Sequence, residues 1–194
     1  MASPQTLSVD DRRAVACWAA DCAEHVLPIF EAAAPGDDRV RAAIAQTRAF
    51  ASGDLPVDVA IRARGAQAGA AARDAPTPAS TAAAYAAEQA AAVAHMGAHA
   101  LGAAGYAAKA AALAAGDDED VTRTEALRHA AAIDDDAARA LARLPHLGED
   151  RAGPLGPGRL ATRHIGEAIR TIQAQLAPGR VDDPATSRGD DRTN

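Results

Sequence analysis

The chain has 194 residues and a formal net charge of -6 from 20 basic and 26 acidic side chains, and 48% of it is hydrophobic but only 3% aromatic. That length suffices for one hydrophobic core and does not require a second, while the acidic balance and the scarcity of stacking side chains argue against a nucleic-acid partner. Residues 1–10 lack a basic stretch followed by an apolar one, and the alanine-rich run 98–115 is interrupted by His99 and Lys109. Neither a signal peptide nor a membrane span is therefore expected, and the expected location is cytoplasmic. Cys17 and Cys22 lie five residues apart, about 7.5 Å along a helix, too far for a relaxed disulfide.

Ser8 with Asp11 three residues later resembles a capping box, and Val15, Trp18, Cys22, Val26 and Ile29 recur at helical spacing. A first helix is expected over 9–33, kinked at Pro28 or broken just before it. Asp37 or Asp38 caps a second helix with the stripe Val40, Ile44, Thr47, Phe50, ending at Gly53. Asp54 and Pro56 open a third that runs to about Asp74. Thr77 and Pro78 then open a stretch in which alanine fills more than half of residues 78–115. Two closely packed helices joined near Gly97 are expected there. One further helix is expected over 121–144.

Residues 146–158 are rich in Pro and Gly and read as a linker. Residues 159–177 form an amphipathic helix, with Leu160, Ile165, Ala168, Ile169, Ile172 and Leu176 on one face, expected to pack on the bundle. Residues 1–8 read as a flexible start and 178–194 as a disordered tail. No segment alternates with period two, so no strands are expected. The expected fold is all-α: a single compact, alanine-rich, close-packed bundle of about six helices over 9–145, plus the C-terminal amphipathic helix. Gly97, Gly102 and Gly105 inside helical sequence imply close interhelical approach, since each costs roughly 1 kcal/mol of helix propensity against alanine.

Several constellations carry polar chemistry. His95 and His99, four apart, would share a helix face and are the weak candidates for a metal site; the middle Glu of a zincin motif and any Glu-x-x-His pair are absent. Helix-packing histidines are the plainer reading. Tyr85, Ala92, His99, Tyr106 and Leu113 fall on a seven-residue repeat, which reads first as a packing seam. Asp21 and His25 form an i,i+4 pair in which the carboxylate could orient a general base, although no nucleophile can be placed beside it. Arg39, Arg41 and Arg48 could grip an anion or pair internally. Neither a Walker A loop nor a Gly-x-Gly-x-x-Gly motif is present, so nucleotide hydrolysis has no visible machinery, and no cofactor is expected.

Three blocks carry a family resemblance: residues 17–31 (Cys17-Trp18-Ala19-Ala20-Asp21-Cys22 through His25 to Glu31), residues 37–53 (Asp37-Asp38-Arg39-Val40-Arg41 through Arg48 to Gly53), and the helix holding His95, Met96, His99, Tyr106 and Lys109. Together these resemble the immunity-five-like helical family of bacterial immunity proteins, mostly actinobacterial, over residues 10–145. His25 stands where that family usually has arginine, and Val40 where its loop often reads Arg-Pro-Arg. The resemblance implies a helical, non-catalytic binding protein, monomer or homodimer, that neutralises a toxin by protein–protein contact. On that reading the partner-binding residues are the acids Asp117, Asp118, Glu119, Asp120, Asp134, Asp135 and Asp136, which would meet a basic toxin. The alternative is an enzyme or small-molecule-binding protein with an interhelical pocket built from Asp21, His25, His95, His99 and Tyr106.

Overall fold

The computed structural model describes residues 3–63 and 65–176, and these form an all-helical fold with no strand among them. The helices are α1 (Val9–Ala33), α2 (Arg39–Ser52), α3 (Val57–Ala63), α4 (Ala66–Asp74), α5 (Pro78–Ala92), α6 (His99–Ala114), α7 (Glu119–Ala131), α8 (Asp135–Leu141) and α9 (Arg163–Leu176), the last preceded by a 3₁₀ turn at Arg159–Ala161. The expected tail at 178–194 lies outside the described residues.

At the centre α5 and α6 pack against each other, and α1 crosses both. The two central helices are covered almost all round, α6 from Ala100 to Ala108 without a break, as expected of helices whose apolar residues are not confined to one stripe. Alanine and glycine let their backbones approach. The bulk that fills the remaining space comes from outside, from Val15, Trp18, Val26 and Phe30 of α1, Ile44 and Phe50 of α2, and Ile165, Ile169 and Ile172 of α9. On the outer layer α2 and α4 lie against α5, α8 against α1, and α7 and α9 against α6 and each other.

The bundle holds more helices than the six expected, because two segments break. The helix expected from Asp54 to Asp74 is split into α3 and α4 around Gly65, which is left-handed at φ +70°. A Cβ at Gly65 would stand only 2.9 Å from the Glu88 carbonyl oxygen, so α4 starts where its backbone touches α5. The helix expected over 121–144 is split into α7 and α8 by Asp134, whose carboxylate accepts the Ala137 N–H at 2.8 Å and starts a new helix. Conversely, α1 runs unbroken through Pro28 to Ala33.

Two segments read as loose in sequence are pinned. Gln5, in the stretch expected to be flexible, is fully buried. Its amide donates to the Ala152 carbonyl and to Asp150 at 2.8 Å and accepts the Leu155 N–H at 3.0 Å. The backbone carbonyls of Gln5 and Thr6 accept from Ala98 and Gly97. The Pro/Gly segment 146–158 is thus no free linker, and Leu155 enters the core. The single break in the final amphipathic segment falls at Thr162, between the 3₁₀ turn and α9.

Arg12 is the buried tie between α1 and the centre. Its guanidinium donates to the carbonyls of Ala94 and His95, just past the end of α5, where the helix terminus presents negative partial charge. Burial lowers its pKa.

Two outcomes test this packing by denaturant unfolding. A Cβ at Gly105 would stand 2.8 Å from Ile165 Cγ2 and 3.2 Å from the Ile165 carbonyl, so Gly105→Ala is expected to lose about 1–3 kcal/mol by overpacking despite alanine's better helix propensity. Gln5→Ala, which strands the buried Leu155 N–H, is expected to cost about 1–3 kcal/mol; neutrality of either variant would contradict the packing described.

Candidate functional site

The acids predicted to face a partner cluster at the two ends of α7. Residues 117–139 contain eight carboxylates and three arginines, so this stretch carries most of the chain's net charge of -6. Part of the cluster works inside the fold. Asp117, left-handed at φ +68° beside Gly116, accepts from the buried His164 ring at 2.8 Å and pairs with Arg163 at 3.3 Å; these bonds hold its pKa below the usual carboxylate value. His164 in turn meets the Thr122 hydroxyl at 2.6 Å, which locks α9 to α7. Asp118 caps α7 through the Asp120 N–H, Asp134 caps α8, and Asp136 pairs with Arg139. Glu119 lies 3.9 Å from Arg163. Asp120 and Asp135 are exposed and have no ion-pair partner among the described residues.

Between the two acidic ends lies Leu127, the one large hydrophobic side chain exposed among the described residues, at 43%. Asp120 and Leu127, seven residues apart, fall on one side of α7, so an exposed carboxylate and an exposed apolar side chain share that side. The charge pattern was legible in the sequence. Leu127 was not, because its exposure depends on how α7 is rotated against α6 and α9.

Of the five residues of the alternative pocket, His99 and Tyr106 line one recess together with Glu88 and Arg159, and Asp21, His25 and His95 are placed elsewhere. Asp21 pairs with Arg48 at 2.8 Å, and Glu24 pairs with the same guanidinium. His25, 41% exposed, points instead at Glu125 of α7 at 3.2 Å. His95 and His99 do not share a helix face: α5 ends at Ala92 and α6 begins at His99, which leaves the exposed His95 in the connecting turns. His99 bonds the Gln89 side chain at 2.9 Å. No group of three or more His, Cys, Asp or Glu side chains among the described residues is placed to hold a metal ion. The seven-residue seam is likewise cut by the turn. Its tyrosines nevertheless meet across two helices, with Tyr85 and Tyr106 ring centroids 5.3 Å apart, and they line an open cleft of about 660 Å³ between α5, α6 and the 3₁₀ turn. The arginines of α2 are spent internally, Arg39 on Asp37 and Asp74, and Arg41 on Glu31.

Sequence reading overlooked His129. It sits under the α1–α7 junction, 2% exposed, its carbonyl accepting the Trp18 indole N–H at 2.9 Å. Its ring meets His25 edge-on at 6.0 Å, with Glu125 at 3.9 Å and Arg128 beside it. Burial above all, then the charges of Arg128 and His25, hold its pKa down at about 3. The folded protein thus refuses a proton that the unfolded chain takes up below about 6.5. Stability from this group is fully present above pH 6.5 and is lost as the pH falls toward 3. Between pH 7 and pH 5 the wild type is expected to lose about 2 kcal/mol more than His129→Gln, measured by urea unfolding at both values; equal losses would contradict this account.

No helix among the described residues is long and apolar enough to cross a membrane. No curated protein and no solved structure matches the chain. The family model described as Imm-5 like putative immunity protein matches residues 5–136, a span from the buried Gln5 to the acidic start of α8. The chain belongs to this family of immunity proteins.

Proposed function

We propose that the protein is a non-catalytic immunity protein that neutralises a toxin by binding it. Membership of the immunity family carries this reading, and it implies action in the cytoplasm on a protein partner. The outer face of α7 and α8 supports a basic partner: its carboxylates raise the association rate by attraction, and Leu127 offers an apolar anchor among them. The carboxylates of Asp120 and Asp135 bear the encounter, because Asp117, Asp118 and Asp134 are already engaged in holding α7, α8 and α9. Asp21 and His25 of α1 are engaged by Arg48 and Glu125, and His95 stands exposed in the turns before α6, which favours occlusion over chemistry.

The test is affinity capture of the tagged chain from native lysate, followed by binding kinetics on whatever coelutes in stoichiometric amount. A basic protein is expected. Asp120→Lys with Asp135→Lys should lower its association rate about tenfold or more and flatten its salt dependence, and Leu127→Ala should raise its dissociation rate. Kinetics that ignore all three substitutions would remove this face as the contact, and a preparation without any protein partner would remove the neutralising role.

A further inference from the structure

The cleft between α5, α6 and the 3₁₀ turn has a chemistry unlike the rest of the molecule. Acids outnumber bases in the chain 26 to 20, yet no carboxylate lines this cleft, and two cations do: Lys109 from α6 and Arg159 from the 3₁₀ turn. Lys109 is the sole lysine of the sequence, and Tyr85 and Tyr106 are its two tyrosines, so every Tyr and Lys side chain converges on one depression.

Neither cation is consumed by the fold. Among the described residues most arginines of the outer helices find a carboxylate within 4 Å, as Arg39, Arg41, Arg48, Arg62, Arg128 and Arg139 do. Lys109 and Arg159 have no such partner there. Lys109 Nζ stands 6.0 Å from the Tyr106 ring centroid, a cation–π distance that leaves all three of its N–H donors available. Arg159 faces the Tyr106 phenol. Glu88, in an adjoining recess that Tyr106 and Arg159 also line, is the nearby acid, and it makes no ion pair with Arg159.

The threonine hydroxyls of the cleft are already committed. The Thr81 hydroxyl donates to the Thr77 carbonyl, and the Thr162 hydroxyl to the Arg159 carbonyl. Recognition of an anion therefore falls to the two cations. Tyr106 is buried and braces Tyr85, whose half-exposed ring offers a flat apolar surface to the cleft. At about 660 Å³ the space lies within the range of small-molecule sites.

We propose that this cleft binds a small aromatic anion, a flat ring bearing a carboxylate or phosphate, with the anionic group between Lys109 and Arg159 and the ring against Tyr85. The site is separate from the α7–α8 face and does not depend on the neutralising role.

Titration calorimetry of the full chain with 4-hydroxybenzoate and with adenosine monophosphate tests it, with benzamide and inorganic phosphate as controls. At least one aromatic anion is expected to bind with 1:1 stoichiometry and weaken as salt rises; which one is preferred separates carboxylate from phosphate. Lys109→Met and Arg159→Gln should each lower that affinity about tenfold, the loss of one charge-assisted contact, while Lys109→Arg retains binding and controls for folding. Tyr85→Ala should weaken the aromatic anion and leave any phosphate binding unchanged. The proposal is overturned if neither aromatic anion saturates below about 10 mM, if benzamide or inorganic phosphate binds as tightly, or if removal of both cations has no effect.

Discussion

The close approach of α5 and α6 is the constraint on which the rest of the structure depends. Alanine gives helices whose backbones can nearly touch but buries little area per residue, so the pair cannot stabilise itself. It needs bulk from its surroundings, and α1, α2 and α9 supply it with Trp18, Phe30, Phe50, Ile169 and Ile172. The division of labour is strict: small side chains at the centre, large ones reaching in. Gly102 and Gly105 extend the same logic toward Leu160, Ile165 and Ile169, and Arg12 closes the turn between the two central helices by binding carbonyls that no backbone N–H reaches.

That arrangement also segregates charge. A centre without room for polar side chains pushes carboxylates and arginines to the outer layer, where most neutralise each other across neighbouring helices. Two places escape this pairing with opposite sign. The α7–α8 stretch retains excess carboxylate because its eight acids meet only three arginines of their own, and two of them, Asp118 and Asp134, serve as caps, a role that fixes helix ends without cancelling charge. The Tyr85–Tyr106 cleft retains excess cation because the elements that meet there, the start of α5, the middle of α6 and the 3₁₀ turn, bring no acid to it.

The helical class, the limits of α1 and α2, the pair α5 and α6 and the family were legible in sequence because each rests on local signals: periodicity, caps, Pro78 at a helix start and Gly53 at a helix end. What was not legible depends on distant contacts. Gly65 breaks a helix in a left-handed conformation at a point where the Glu88 backbone leaves no room for a side chain. Asp134 starts one, a cap signal that was present but hidden in a run of acids read as surface charge. Gln5 looks like terminus and 146–158 like linker until they are seen to satisfy each other. For the site, spacing suggested that His95 and His99 act together, whereas the chain turns between them; the same turn brings the Tyr85 and Tyr106 rings into tilted contact by folding rather than by register.

The contact between Gln5 and Leu155 spans 150 positions of the chain, and this sets an order of events during synthesis. The residues that shield Gln5 emerge only after α1 to α8 have been made, and the isoleucines that cover Gly105 follow later still. Until then the alanine pair has one face open to solvent. Contacts of such separation are slow to form, and apolar surface left open in the meantime favours aggregation. The segment matched to the family ends at residue 136, so Leu155 and the isoleucines of α9, which complete the core, lie beyond the matched span.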